Sequence, residues 1–150
     1  MKVILQRVSS AKVEISNRLK GSINQGYLVL LGIGEEDNEN DINWLINKIL
    51  NIRLFGDKQG KMNLSIKDID GDILLISQFT LYASIKKGNR PSFTKSLHPD
   101  AAIPLYHQFI ETLEKKINKK IETGTFGANM QVSLTNDGPV TISIDSKARV

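Results

Sequence analysis

Ser77, Gln78 and Thr80 place three hydrogen-bonding side chains within four positions, directly after the aliphatic run Ile73-Leu74-Leu75-Ile76. Four consecutive branched aliphatics read as a strand buried on both faces. A core strand that turns polar at its carboxyl end can deliver hydroxyls, an amide and backbone N–H groups to a cleft; the plainer alternative is a strand leaving the core for solvent. Groups of this kind position water and stabilise an oxyanion. Thr80 also offers a hydroxyl nucleophile, but no base stands near it in sequence. A second unusual segment, Asn136-Asp137-Gly138-Pro139-Val140-Thr141, favours the cleft.

Other constellations that carry chemistry are missing. No Gly-x-Ser-x-Gly elbow, His-Glu-x-x-His pair or phosphate loop occurs. With no cysteine, a disulfide framework, a thiolate zinc site and a cysteine nucleophile are excluded. His98 and His107 are the only histidines and read as structural. Gly32-Ile33-Gly34 is followed by Asp37 where a dinucleotide fingerprint needs glycine, and Glu35-Glu36-Asp37 reads as charge near a helix amino terminus rather than as a metal site. No cofactor and no metal are expected. Enzymatic work would fall to hydroxyls, amides, backbone N–H groups or the substrate itself.

The elements that must position these groups alternate between strands and helices, without a linker or repeat. A chain of 150 residues suits one domain, 1–150, able to bury roughly 68–70% of its unfolded surface. Short strands are predicted at residues 3–8 and 11–15, around Ser9-Ser10, and a central strand at 27–33. Asn38 or Asp37 caps a helix whose Ile42, Leu45, Ile46 and Ile49 share one face, widened by Trp44. A polar loop follows at 56–63. Residues 83–98 form a long connection in which Lys86, Lys87 and Arg90 accompany Phe93, a mixture suited to a phosphate backbone and a stacked base or to an ordinary solvated loop. A second helix runs from about Pro99 or Asp100 to Asn118, its start delayed if Pro104 is not tolerated. No signal peptide and no membrane-spanning run is visible, so the cytosol is the expected compartment. The net charge of +4 leans toward a polyanionic partner.

At the carboxyl end, Met130-Val132-Leu134 and Val140-Ile142-Ile144 mark two alternating strands. Paired as a hairpin with coincident apolar faces, they need an odd loop centred on Gly138, most simply Asp137-Gly138-Pro139. Pro139 cannot adopt the left-handed conformation that ends such a loop, nor donate a closing hydrogen bond. Something other than local turn energetics must select Gly-Pro here.

Ser77-Gln78-Phe79-Thr80-Leu81 and Asn136-Asp137-Gly138-Pro139-Val140-Thr141 together resemble the D-aminoacyl-tRNA deacylase family. The resemblance extends through Gln6-Arg7-Val8, Arg53-Leu54-Phe55, Gly60-Lys61-Met62-Asn63, Gly88-Asn89-Arg90-Pro91-Ser92-Phe93 and Phe126-Gly127-Ala128-Asn129-Met130, and so covers nearly the whole chain in order. It implies an α/β fold, with a mixed sheet or partly closed barrel of short strands flanked by two main helices. It also implies a cytoplasmic homodimer that hydrolyses the ester of D-aminoacyl-tRNA and of glycine mischarged on tRNA. Ser77, Gln78, Phe79 and Thr80 would form the catalytic platform, with Phe79 and Thr80 N–H groups as the oxyanion site and the RNA 2′-hydroxyl assisting. Gly138-Pro139, as a cis peptide from the partner subunit, would exclude L-aminoacyl groups, supported by Arg7. Phe126 and Met130 would pack the terminal adenine, and Lys86, Lys87 and Arg90 would meet the tRNA. Two rivals are the editing domain of archaeal threonyl-tRNA synthetases, which resembles this fold, and a non-catalytic nucleic-acid-binding module.

Overall fold

The aliphatic run forms the strand expected of it, with Ile73, Leu74, Leu75 and Ile76 all buried. The computed structural model describes residues 1–149; Val150, the last residue of the expected domain, lies outside them. In chain order the elements are β1 (Lys2–Ile15), β2 (Arg18–Ile23), β3 (Gly26–Gly32), α1 (Glu39–Asn51), β4 (Phe55–Gly56), β5 (Met62–Leu64), β6 (Asp72–Ser77), a 3-10 turn (Phe79–Tyr82), α2 (Pro99–Ile117), β7 (Glu122–Thr123) and β8 (Gln131–Asp145).

The main sheet runs β2-β1-β3-β6-β7, with β8 on the free edge of β1, while β4 and β5 make a separate small hairpin. β6 is parallel to both β3 and β7; the other pairings of the main sheet are antiparallel. The ends of the path approach each other: Lys20 Nζ donates to the Thr123 carbonyl at 3.2 Å, joining β2 to β7. The result is the nearly closed barrel flanked by two helices that the sequence implied. Apolar side chains fill both faces of the sheet. Val3, Leu5, Tyr27, Val29, Leu31, Ile73 and Leu75 pack under α1 and α2, whereas Val8, Val13, Leu28, Leu74 and Ile76 form a second core. Each fully buried aliphatic of this size contributes about 1.5–3 kcal/mol.

Two readings of the strands are corrected. The two short strands expected at 3–8 and 11–15 are one strand, because β1 changes neighbour rather than ending at Ser9-Ser10. Residues 2–8 pair with β3, residues 11–15 pair with β2, and the register against β8 slips between Val8 and Ser10. The expected carboxyl-terminal hairpin is likewise absent. Both halves of β8 pair antiparallel with β1, Val13 facing Val132 and Leu5 facing Ile142. Between the Val8–Asn136 and Gln6–Thr141 pairs only Arg7 opposes residues 137–140, so Asp137-Gly138-Pro139-Val140 is an outward excursion from a continuous strand.

The helices follow their local signals. Asn38 caps α1 in a capping box with Asp41, and Ile42, Leu45, Ile46 and Ile49 are fully buried. Trp44 packs partly against that core, beneath the cations of Lys48 and Arg149. α2 starts at Pro99 with Pro104 inside it, not after it. The carbonyl that loses its donor to Pro104, that of Asp100, lies in the exposed first turn. Lys119, beyond the end of α2, pairs with Asp72 at 2.8 Å instead of standing free. Among the described residues, no helix is long and apolar enough to cross a membrane.

Candidate active site

Ser77 closes β6 opposite Leu31 of β3, and the next residue, Gln78, donates its backbone N–H to the Leu31 carbonyl at 2.7 Å. That bond ends the strand and turns the chain into the 3-10 turn. Ser77, Gln78 and Phe79 thereby reach a cleft of about 550 Å³. Leu31 and Ile33 line it from β3 and the residue beyond, His98, Pro99 and Ala102 from the start of α2, and Phe126, Ala128 and Met130 from the segment before β8. The walls are mainly apolar, so a hydrogen-bonding group that enters finds few competitors.

Thr80 does not line the cleft. Its hydroxyl accepts from the Gln78 side-chain amide at 2.5 Å, and among the described residues no histidine, carboxylate or lysine bonds to it. The missing base in sequence is therefore also missing from its hydrogen bonds. The N–H groups of Phe79 and Thr80 stand first in the turn and have no acceptor among the described residues, as leading helical donors lack intrahelical partners. Two free donors beside an apolar cleft can stabilise negative charge on a carbonyl oxygen.

Phe126 lies edge-on to Tyr106 at 5.5 Å, and the Tyr106 hydroxyl donates to the Leu75 carbonyl at 3.4 Å. Burial pushes that hydroxyl up to about 12, so it stays a donor at neutral pH. His98 sits at the rim, where Nδ1 accepts from the Asp100 N–H at 3.4 Å and caps α2. His107 lies within α2, one position beyond the buried Tyr106.

The long connection after the turn is pinched by two bonds between Ser84 and Ser92, at 2.8 and 2.9 Å. Lys86, Lys87 and Arg90 project from the exposed tip beyond that pinch. Phe93 then returns to line the cleft, its ring 5.0 Å from that of Phe79 in an edge contact. The basic tip and the cleft are thus joined through one aromatic pair. Sequence reading noted Phe93 only as the aromatic of a basic loop, and missed the α2 residues of the cleft wall, because neither sign is local.

Gly138 and Pro139 line a different cavity, of about 490 Å³, shared with Arg7, Phe55, Gly56 and Met62. Their peptide bond is cis, and Gly138 has φ +124°, a conformation open to glycine and costly for other residues. Arg7, facing the excursion from β1, donates through Nε to the Asp137 carbonyl at 3.1 Å and through Nη1 to the Leu54 carbonyl at 2.5 Å. Within one chain it holds that chain's own loop. Asn136 fastens the neck: Oδ1 accepts from the Val140 N–H at 3.2 Å and Nδ2 donates to Thr141 Oγ1 at 2.9 Å. In one chain, therefore, Ser77, Gln78, Phe79, Phe126 and Met130 come together, while Gly138, Pro139 and Arg7 form a second group. Among the described residues no cluster of three acidic or histidine side chains could hold a metal.

A family model described as D-Tyr-tRNA(Tyr) deacylase matches residues 4–145. A D-aminoacyl-tRNA deacylase of Flavobacterium psychrophilum is 57% identical over 147 residues, 98% of each chain. One from Flavobacterium johnsoniae is 55% identical over 149 residues, 99% of each chain. Among solved structures, the "c-Myc DNA Unwinding Element Binding Protein" superimposes with a TM-score of 0.94 at 41% identity, covering 99% of this chain and all of that one, 100%. A probable eukaryotic D-amino acid tRNA deacylase shares the fold with a TM-score of 0.79 at 16% identity, over 95% of this chain and 98% of that one.

Proposed function

The chain belongs to the D-Tyr-tRNA(Tyr) deacylase family, and on that premise we propose that it hydrolyses the ester joining a D-amino acid to tRNA, as a cytoplasmic homodimer. The observation that carries this reading is the cleft, beside which unpartnered Phe79 and Thr80 N–H groups begin a turn after Ser77 and Gln78 and where, among the described residues, no lining hydroxyl is hydrogen-bonded to a base. An aminoacyl ester is already activated, so positioning and oxyanion stabilisation suffice for a modest barrier. Water attacks the carbonyl carbon and charge gathers on the carbonyl oxygen, facing the two N–H groups. The carbon–oxygen ester bond then breaks, and the leaving ribose oxygen takes a proton. That proton is the one the attacking water gives up, relayed through the neighbouring 2′-hydroxyl, which passes on its own proton as it takes the water's. Phe126 and Met130 hold the terminal adenine, and Lys86, Lys87 and Arg90 meet the phosphate backbone.

Chirality is selected by exclusion. A rigid backbone wall where an L side chain would point rejects every L residue without recognising any D one. Gly138-Pro139 of the partner subunit forms that wall, and glycine, having no side chain, passes it. Support comes from the separation of the two groups, since a chain's own Gly138 and Pro139 line a different cavity from its platform.

A second reading rests on the solved relative whose printed name describes binding to a DNA unwinding element. On that reading the exposed Lys86, Lys87 and Arg90 belong to a nucleic-acid-binding module without turnover. One experiment separates the two: release of tyrosine from D-Tyr-tRNA and L-Tyr-tRNA, with binding of uncharged tRNA and duplex DNA measured alongside. Release from the D ester alone is the expected result. Tight DNA binding with neither ester cleaved would replace the hydrolase by the module.

A further inference from the structure

The 3-10 turn that begins with Phe79 is fastened at its other end by a residue that sequence reading assigned to a helix terminus. Asp37 does not cap α1. Its side chain is 2% exposed, and its carboxylate accepts from the Gly34 N–H at 2.6 Å, from the Tyr82 hydroxyl at 3.1 Å and from the α-amine of Met1. Lys147 Nζ stands 3.9 Å away. A carboxylate this buried is tolerable only with such partners. Tyr82 is the last residue of the turn, three positions after Phe79, and in a 3-10 helix positions three apart lie above one another. Its ring rests on Gly34 so closely that a Cβ there would fall 2.6 Å from Cζ. Lys2 Nζ lies 4.9 Å from the ring centroid and bonds the adjoining Leu81 carbonyl at 3.5 Å. Burial and the Asp37 carboxylate both push the Tyr82 hydroxyl up, which keeps its proton in place as a donor.

None of these groups lines the cleft, so packing of substrate does not account for the arrangement. We infer that Asp37 and Tyr82 are positioning residues for hydrolysis: the buried carboxylate, through the Tyr82 hydroxyl, fixes the turn whose leading N–H groups form the oxyanion site. The inference rests on the deacylase reading above. Donors fixed before the reaction are effective because they need not reorganise as charge develops, and small misplacements are costly.

The test is kinetic and uses the full-length protein with D-Tyr-tRNA. Tyr82→Phe removes only the hydroxyl and keeps the ring on Gly34; Gly34→Ala keeps the hydroxyl but displaces it together with the ring, since the new Cβ would fall 2.6 Å from Cζ and 2.7 Å from the hydroxyl oxygen. Each should lower kcat by about tenfold, with KM changed by less than about twofold; the melting temperature should fall by several degrees while the protein stays folded at the assay temperature. Hydrogen exchange at the Phe79 and Thr80 amides should quicken in both variants without substrate. Asp37→Asn combined with Tyr82→Phe should lose little more kcat than Tyr82→Phe alone, because both act through one bond. Unchanged kcat in the two single variants, with wild type active, overturns the inference and leaves the deacylase reading standing. A fall in kcat matched by loss of folded protein also overturns it. A wild type that cleaves no D ester removes both.

Discussion

Arg7→Ala tests whether the Gly138-Pro139 loop excludes L substrates by being held still. The guanidinium is 14% exposed and donates to two carbonyls, those of Leu54 and Asp137, on either side of the loop's cavity. Hydrogen bonds from a charged group contribute about 1.5–3 kcal/mol each. The Asp137 carboxylate, 3.5 Å from Nε and 52% exposed, adds about 0–1 kcal/mol after solvent screening. Only the Asp137 bond reaches the loop itself, so at the lower figures Arg7 restrains the loop by about 1.5 kcal/mol. At about 1.4 kcal/mol per factor of ten, full release of that restraint raises L-Tyr-tRNA cleavage by up to about tenfold. D-Tyr-tRNA cleavage, which uses the other cavity, should stay within a few fold. Arg7→Lys should fall between, since a single ammonium cannot fork to two carbonyls. Single-turnover release of tyrosine from both esters, with a melting curve for each variant, gives the ratio. An L rate that stays at its wild-type level in a folded Arg7→Ala protein refutes the reasoning.

The same wall can be tested across the dimer. A Gly138-Pro139 variant that cleaves L esters is mixed with excess protein inactivated at Ser77, Gln78 and Thr80; reciprocal exchange in a twofold dimer should abolish L cleavage and spare D cleavage, and L cleavage that survives verified heterodimer formation would place the loop over its own subunit. Thr80→Ala should retain measurable D-ester hydrolysis, and replacing the substrate's 2′-hydroxyl by hydrogen should cost more; an acyl group trapped on Thr80 would contradict this. Neutralising Lys86, Lys87 and Arg90 together should weaken tRNA binding and flatten its salt dependence while leaving the D/L ratio unchanged, to be read from binding isotherms at several salt concentrations. Asp41 is opposed by burial, yet bonds from Ser146, Lys147 and the Asn38 backbone bring its carboxyl down to about 2. Its stabilisation is complete above the unfolded value near 3.8 and is lost as pH falls toward 2. Asp41→Asn should therefore be less stable at neutral pH and lose less between pH 4 and pH 2 in acid unfolding curves.

What could be read without coordinates was whatever local pattern controls. The run at residues 73–76, the cap at Asn38 and the apolar face of α1 all needed only near neighbours, and all formed. The carboxyl-terminal strands show the opposite case. Their alternation was right and their partner wrong, since Val132 and Ile142 face Val13 and Leu5 rather than each other. Apolar parity says which side of a strand is inward; it is silent on a partner more than a hundred residues away. The difficulty with Pro139 as a hairpin tip disappears once the segment is an excursion from a strand held elsewhere. β2 was missed for a different reason. Its hairpin turns through Ser16 and Asn17, both at positive φ (51° and 60°), and Ser-Asn is a weaker signal than Asn-Gly. Asp37 was misplaced because its partners, Gly34, Tyr82 and Met1, converge only in three dimensions.

The pairing of β1 with β8 also sets a timetable for the ribosome. β1 ends at Ile15 and meets β2 and β3 by Gly32, so one of its edges can be satisfied early in synthesis. The other edge waits for β8, which begins at Gln131. At about 5–20 residues per second, that gap of more than a hundred residues lasts on the order of 5–20 s. Throughout it the nascent chain carries an open strand edge fourteen residues long, the kind of surface on which chains join one another. The barrel is therefore completed only once β8 has emerged, and the strand that presents Gly138-Pro139 completes it.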